Sequence, residues 1–395
     1  MHKPAIVLSS PAHPAMAEML AALKSDIDYQ VIGPQIRDGS GIAAVTNPAV
    51  KLAYRLAVEA RRYAPGAIAY QWARSRVLLN QLPPDSLVHC CSHMAYGGLP
   101  WIGDYENVNV LPFYSPRLLH SSWFINHLRQ KFSDPACRAV RVWSDSAAQS
   151  FCTLFPEPVI QTKVHVVYPS IAVPEQASGP KPVNAVPRIL FVARGFWIKG
   201  GGLLLDALRH LRNHFAFHVD FICDLPPEYE VCRDEFAGIV DFHIPAFSRP
   251  ELFSRFYNRA DIFVMLGMAD SYGVALLEAS AFGLPIVAMR LDSGLSDLLR
   301  LSGNAIQVEP AHQIFDRDGL HCIEPDDLLR QLQQDPQPRV VDQVAEALAS
   351  LLGNPVRRQA MGASGREAVS EGPLSTDTMR RAMLDLYRRA MHQRE

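Results

Sequence analysis

Two stretches in the second half of the chain carry residue types that could manage a departing phosphate. The first is Phe191-Val192-Ala193-Arg194-Gly195-Phe196-Trp197-Ile198-Lys199-Gly200-Gly201-Gly202-Leu203. An apolar, β-branched run ends, a loop offers a guanidinium and an ammonium five residues apart, and three glycines open a segment with helical spacing at Leu203, Leu204, Ala207, Leu208 and Leu211. The first turn of a helix presents unpaired N–H groups and a partial positive charge, and glycine lets a ligand approach the backbone. With Arg194 and Lys199 added, this is a diphosphate site or, equally well on its own, a structural turn. It is not G-x-G-x-x-G, and no Gly-Lys-Ser/Thr of the P-loop type follows, which counts against dehydrogenase and ATPase chemistry.

The second stretch is Asp270-Ser271-Tyr272-Gly273-Val274-Ala275-Leu276-Leu277-Glu278-Ala279-Ser280-Ala281-Phe282-Gly283-Leu284-Pro285. Asp270 reads either as a helix N-cap or as a loop acid facing a ligand, and Glu278 either as a solvated helix residue or as a buried acceptor. Val274–Leu277 and Ala279–Phe282 are apolar, so a carboxylate between them requires a partner.

Taken together, Arg194…Lys199-Gly200-Gly201, then Asp270-x7-Glu278 and Gly283-Leu284-Pro285, resemble the family-4 group of retaining glycosyltransferases with the GT-B fold (glycosyl transferases group 1). The flanks Phe256-Tyr257-x-x-Ala260-Asp261-Ile262-Phe263-Val264 and Asp292-Ser293-Gly294-x-x-Asp297 agree, as do Ser144-Asp145-Ser146 and Val167-Tyr168-Pro169-Ser170-Ile171. The likeness covers residues 140–395 by motif and residues 1–139 by layout only. It implies an α/β GT-B architecture of two Rossmann-like parallel-sheet domains facing each other across a cleft. It also implies that Arg194 and Lys199 hold the diphosphate of a nucleotide-sugar donor, UDP- or GDP-linked, without a metal. Asp270, where the family usually has Glu, would contact the donor sugar. The backbone at Gly200, Tyr272, Gly273 and Val274 would face sugar or phosphate, Glu278 would accept from the ribose hydroxyls, and Ile244 would lie against the base.

Three features depart from that pattern. Asp270 is one methylene short of Glu, about 1.5 Å of reach. Ser9-Ser10-Pro11-Ala12-His13-Pro14 replaces the Gly-Gly loop after the first strand, and the histidine often found in the first domain has no clear counterpart. The nearest segment is Pro100–Asn107, where Glu106 or Asp104 would face the sugar or sit as a surface-loop acid. Glu106 joins Arg194, Lys199 and Asp270 in the expected catalytic set.

The elements that must position these residues are legible in outline. The chain has 395 residues, 48% hydrophobic and 20% charged, enough for two α/β cores. Strands are predicted at Ile6–Ser9, Tyr29–Ile32, Leu87–Cys91, Val140–Trp143 and Val164–Val167. A second series follows at Arg188–Val192, His218–Cys223, Ile262–Leu266, Pro285–Met289 and Ala305–Val308, with helical spacing between them. Four prolines between Ser170 and Pro187 mark a linker. The domains predicted are 1–175 for the acceptor, 176–372 for the nucleotide sugar, and a closing helix in 373–395, set by Met379, Met383, Tyr387 and Met391, that packs back on the first domain. Residues 310–340 read as a polar surface excursion before a helix at Val341–Leu352.

Charge excludes a dedicated nucleic-acid binder: the net is −2, with +4 in residues 1–170 (15 Lys/Arg, 11 Asp/Glu) and therefore −6 in the remainder. Seven cysteines without a paired Cys-x-x-Cys framework fit reduced thiols, and Cys90-Cys91 between His89 and His93 reads as a buried strand rather than a zinc site. Asp26-Ile27-Asp28 imitates a metal-binding Asp-x-Asp but falls in a turn. No long apolar run or signal-peptide core is present, so a cytoplasmic location is expected. Basic and aromatic residues interleave from Lys51 to Arg76 and from Trp123 to Phe132, either as a peripheral contact with the inner face of a membrane or as solvated helix faces over core aromatics.

The reading is a retaining, metal-independent glycosyltransferase of the hexosyltransferase type, moving a sugar from a nucleotide donor to a glycan, lipid-linked or small-molecule acceptor. The alternatives are a catalytically silent sugar-nucleotide-binding or partner protein, and a sugar-nucleotide epimerase.

Overall fold

The computed structural model describes residues 5–9, 13–32, 64–79, 82–83, 86–177, 184–312 and 314–392. All ten strands expected from the apolar runs are present, and two more complete a pair of six-stranded parallel sheets. The chain divides into two compact units: residues 1–170 with 315–325 and 377–395, and residues 171–314 with 326–376.

The first unit holds β1 (Ala5–Ser9), β2 (Asp28–Ile32), β3 (Leu87–Cys91), β4 (Trp101–Tyr105), β5 (Cys137–Val142) and β6 (Val164–Val166), in the order β2-β1-β3-β4-β5-β6. Strand β4 is absent from the sequence expectation because Gly103 and Asp104 break its apolar run. Both are explained inside the sheet. A Cβ on Gly103 would stand 2.5 Å from the Tyr105 ring. Asp104 is fully buried and accepts from Arg141 (2.8 Å), His89 Nε2 (2.7 Å) and Trp143 Nε1 (2.6 Å). The core between sheet and helices is aromatic, with Phe132 against Phe151 at 5.0 Å and against Phe155 at 5.3 Å.

The helix Ser122–Ser133 buries Phe124, Leu128 and Phe132 of that basic–aromatic stretch in the core, while Trp123 stays 57% exposed. Residues 51–63 of the other stretch lie outside the described residues. Its described part is the helix Ala64–Leu79, from which Trp72 projects half-exposed. No helix among the described residues is long and apolar enough to cross a membrane.

The last helix, Thr376–His392, buries Met379, Met383, Leu386 and Tyr387. The Tyr387 hydroxyl is 2.7 Å from His89 Nδ1 and accepts from Tyr29 (3.0 Å), and Arg380 binds both oxygens of Asp26 (2.9 and 2.6 Å). The Asp26 of the Asp-x-Asp sequence is therefore an ion-pair partner in a turn, and Asp28 opens β2. The expected polar excursion at 310–340 is corrected in two places. Asn109 bonds the backbone of Gly319 and His321 (2.8 and 2.9 Å) and so holds residues 315–325 in the first unit. Pro325–Gln334 is a helix that buries Leu328 and Leu332, four residues apart on one face and hidden in the sequence by the polar residues around them.

The second unit holds β7 (Arg188–Val192), β8 (His218–Ile222), β9 (Val240–His243), β10 (Ile262–Met265), β11 (Ile286–Met289) and β12 (Ala305–Val308), in the order β12-β11-β10-β7-β8-β9. That is the doubly wound order, in which the strand order reverses between β7 and β10. Strand β9 is absent from the sequence expectation because Asp241 and His243 interrupt its four residues and leave no apolar run. Helix Pro338–Leu352 packs on helix Gly201–Leu211, and helix Val274–Ala281 packs on helix Pro355–Ser370.

Candidate active site

Ligands of open parallel sheets bind beyond the carboxyl ends of the strands at the point where strand order reverses. In the second unit that point lies between β7 and β10, and the two loops leaving it are 193–200 and 266–273, the two stretches that stood out in the sequence. They touch: Met268 N–H donates to Ile198 C=O at 2.9 Å, and a Cβ on Gly200 would stand 2.6 Å from Leu266 Cβ and 2.8 Å from its carbonyl oxygen. Gly200 also has φ +72°, so its lack of a side chain is used twice.

Each loop ends in a helix capped by a left-handed glycine: Gly200 before Gly201–Leu211, Gly273 (φ +82°) before Val274–Ala281. Neither helix has a side-chain N-cap bond. Two N-termini thus bring their first N–H groups and positive dipole ends to the same end of the sheet.

Arg194 is exposed at the loop tip, and among the described residues no hydrogen bond or ion pair holds its guanidinium. Lys199 Nζ contacts Asp270 Oδ1, joining the two loops through their charged side chains. The Asp270 main chain is fixed by Ser293 Oγ, which donates to its carbonyl at 3.0 Å. The second carboxylate oxygen, Oδ2, is buried without a hydrogen-bond partner, packed so close to Gly267 that a Cβ there would fall 1.7 Å away. Tyr272 is buried, and Gly273 and Val274 form the turn into the helix.

Glu278 lies on the buried side of its helix, 9% exposed. Its required partners are Arg249, whose Nε donates to Oε1 at 2.6 Å, and Tyr257, whose hydroxyl donates to Oε2 at 3.2 Å. Burial, then the Glu278 charge, pushes the Tyr257 phenol well above its ordinary pKa, so it remains a donor. The sequence reading missed both residues: they lie 29 and 21 positions before Glu278. A signal existed in the unpaired apolar setting of Glu278, but not one that names a partner. Ile244, just past β9, is 72% exposed.

Glu106 belongs to the first unit. It follows β4 in the first unit, half-buried and engaged with neighbours. Asp104, its companion in the sequence expectation, is corrected: it is a sealed core residue. Burial alone would raise its carboxyl, but Arg141 and the bonds from His89 and Trp143 hold it well below the usual range. Ser9, at the place of the expected Gly-Gly loop, is buried 3.1 Å from His93 Nε2. The Cys90-Cys91 segment is interior strand β3, with His89 and His93 both hydrogen-bonded. Among the described residues, Asp220, Asp241 and His243 bring three metal-competent atoms within 4.8 Å of one another. Asp220 there already faces His243 Nε2 (3.3 Å) and Arg188 (3.7 Å), beside the edge strand of the sheet.

The two α/β units define a GT-B fold. Over 98% of both chains the structure superposes on the sucrose-phosphate synthase of Thermosynechococcus elongatus with a TM-score of 0.61 at 15% identity. A Rickettsia africae glycosyltransferase matches with a TM-score of 0.59, at 15% identity, over 99% of this chain and all of that one. The E. coli trehalose-6-phosphate protein bound with UDP-2-fluoro glucose matches at 0.60 and 13% identity over 97% of this chain and 98% of that one. More specifically, residues 186–317, a third of the chain, match the family Glycosyl transferases group 1. Two D-inositol 3-phosphate glycosyltransferases are similar in sequence: that of Pseudarthrobacter chlorophenolicus is 29% identical over 161 residues, and that of Paenarthrobacter aurescens 34% over 159. In both cases the match covers 38% of this chain and 36% of the relative, so it spans about a third of each relative.

Proposed function

We propose that the protein is a retaining glycosyltransferase of the family-4, hexosyltransferase type that takes its donor, a UDP- or GDP-sugar, at the carboxyl ends of β7 and β10. The observation that carries this reading is the convergence of Arg194, Lys199 and two glycine-capped helix starts on the point where strand order reverses. Cleaving a sugar–phosphate bond builds negative charge on the diphosphate, and fixed cations with helix dipoles stabilise that charge without reorganising. These groups make a metal dispensable in the proposed mechanism. Asp270 then meets the sugar hydroxyls, and Glu278 the ribose. The UDP-sugar bound by a fold neighbour supports the donor class.

The remaining roles extend the same proposal. Residues 1–175 serve the acceptor, a glycan, lipid-linked or small molecule, with Glu106 toward the transferred sugar. Residues 176–372 serve the donor, and the closing helix 373–395 packs on the acceptor domain. The half-exposed Trp72 and Trp123 support a peripheral membrane contact on the cytoplasmic face.

The test is donor turnover. UDP-, GDP-, ADP- and dTDP-sugars are incubated with the protein in EDTA, and released nucleotide is measured. Slow hydrolysis of one donor, abolished by Lys199→Ala, is expected. Saturable binding without release would identify a silent binder, and interconversion of the sugar without release an epimerase.

A further inference from the structure

Tyr257 stands in a flank of the family likeness and Arg249 outside it, and neither was given a role toward Glu278 there. Both partners come from one short stretch of chain. Arg249 opens the helix Arg249–Leu252, whose start is fixed by a reciprocal Ser248–Glu251 capping box. The next turn, Phe253–Tyr257, is π-helical, a form that carries an extra residue per turn and is concentrated at functional sites. The Arg249 guanidinium also lies over the Phe253 ring at 5.2 Å. Tyr257 is stacked on Phe263 (5.5 Å) and packed against Phe282 (5.5 Å), so its ring has no freedom and its hydroxyl is aimed by the core. The same segment follows Ile244 by five residues.

We infer that Arg249 and Tyr257 are positioning residues that hold the Glu278 carboxylate ionised and fix its plane, and that this clamp makes the site select a ribose cis-diol over a 2′-deoxyribose. The inference rests on the donor-site reading above. A carboxylate in an apolar helix face would otherwise gain a proton or rotate. One donor on each oxygen, one of them charged, prevents both. A diol then meets an acceptor already charged and already oriented, and a sugar lacking one hydroxyl loses a charge-assisted hydrogen bond at a desolvated group. Selectivity of this kind depends on the acceptor staying fixed, since a mobile carboxylate follows whichever hydroxyl remains.

Isothermal titration of the full chain with UDP, GDP and ADP and with their 2′-deoxy counterparts tests this. The wild type is expected to favour its ribonucleotide about tenfold or more, the value of a hydrogen bond to a charged group. Arg249→Met and Tyr257→Phe are expected to bring that ratio toward one while leaving the 2′-deoxy affinity within about twofold, and Arg249→Lys to recover part of it. Retained 2′-deoxy binding reports an intact fold, and Tyr257→Phe removes only one hydroxyl should the arginine variant unfold. An unchanged ratio in both variants overturns the clamp while leaving the donor site standing. No nucleotide bound by the wild type overturns the donor-site reading and the clamp together.

Discussion

Lys199 and Asp270, 71 residues apart in sequence, meet across the carboxyl ends of β7 and β10. The lysine proposed to hold a diphosphate is thus paired with the acid proposed to face the sugar. In the proposed donor site a ligand phosphate competes with Asp270 for the ammonium. Lys199→Ala is expected to reduce donor turnover about 10²–10³-fold, or about 2.7–4 kcal/mol, the loss typical of one transition-state contact. Asp270→Glu introduces the longer acid usual in the family that this site resembles and, on the proposed reading, is expected to change the preferred sugar while retaining turnover. A sugar-nucleotide panel assayed on both variants checks this, and an unaltered panel for Asp270→Glu would separate Asp270 from the sugar.

Gly200 and Gly267 are both intolerant of a side chain, for different reasons. At Gly200 an alanine would take φ +72° and meet Leu266, which is expected to cost about 2 kcal/mol of stability. At Gly267 the added methyl meets the Asp270 carboxylate, which must swing away and leave Lys199. Gly267→Ala should therefore unfold at nearly the wild-type urea concentration yet bind nucleotide differently. Equal urea midpoints for both variants would contradict the distinction.

The site loops were legible because their chemistry is local. Arg194, Lys199 and the glycines follow a recognisable strand, and Asp270 through Glu278 span one turn and one helix. The partners of Glu278 were not, because pairing across 20–30 residues is decided by how the Phe253–Tyr257 turn folds back, and one sequence carries no signal for that. Strand β4 failed for a related reason. Its Asp104 looks like a loop acid until Arg141, His89 and Trp143, supplied by neighbouring chain segments, surround it. Strand β9 failed because Asp241 and His243 interrupt its four residues and leave no apolar run. Strands β3, β10 and β11 were readable because every residue in them is buried, and strands covered on both faces leave an unbroken imprint.

The Asp104–Arg141 pair makes a stability prediction in the first unit. Both side chains are at most 1% exposed and 2.8 Å apart. Removing one partner strands a buried charge, so Asp104→Ala is expected to cost about 3–5 kcal/mol. Trp143→Phe removes one donor to Asp104 and is expected to cost about 1–3 kcal/mol. Urea unfolding followed by circular dichroism measures both. A smaller loss for Asp104→Ala than for Trp143→Phe would mean that Arg141 finds another partner.

Acid should loosen this unit before its carboxylates titrate. His321 is packed between the rings of Phe315 (4.8 Å) and Tyr114 (5.4 Å), and burial lowers its imidazole to about 4 from 6.5. His13, edge-on to Trp143, is lowered to about 4 by the same cause. Between pH 6.5 and 4 the unfolded chain binds protons that the native state refuses, so stability rises with pH there. The contribution of these histidines is complete above pH 6.5 and lost as pH falls toward 4. For His321 alone the loss is about 3 kcal/mol, from about 1.4 kcal/mol per unit. Asp104, held below its ordinary range, adds a further loss only below its unfolded pKa of 3.8. Urea midpoints for the wild type should therefore fall steadily from pH 7 to 4.5, and His321→Gln should flatten that slope because its amide takes up no proton. Parallel profiles for the two proteins would show that His321 accepts its proton in the folded state and that the acid response originates elsewhere.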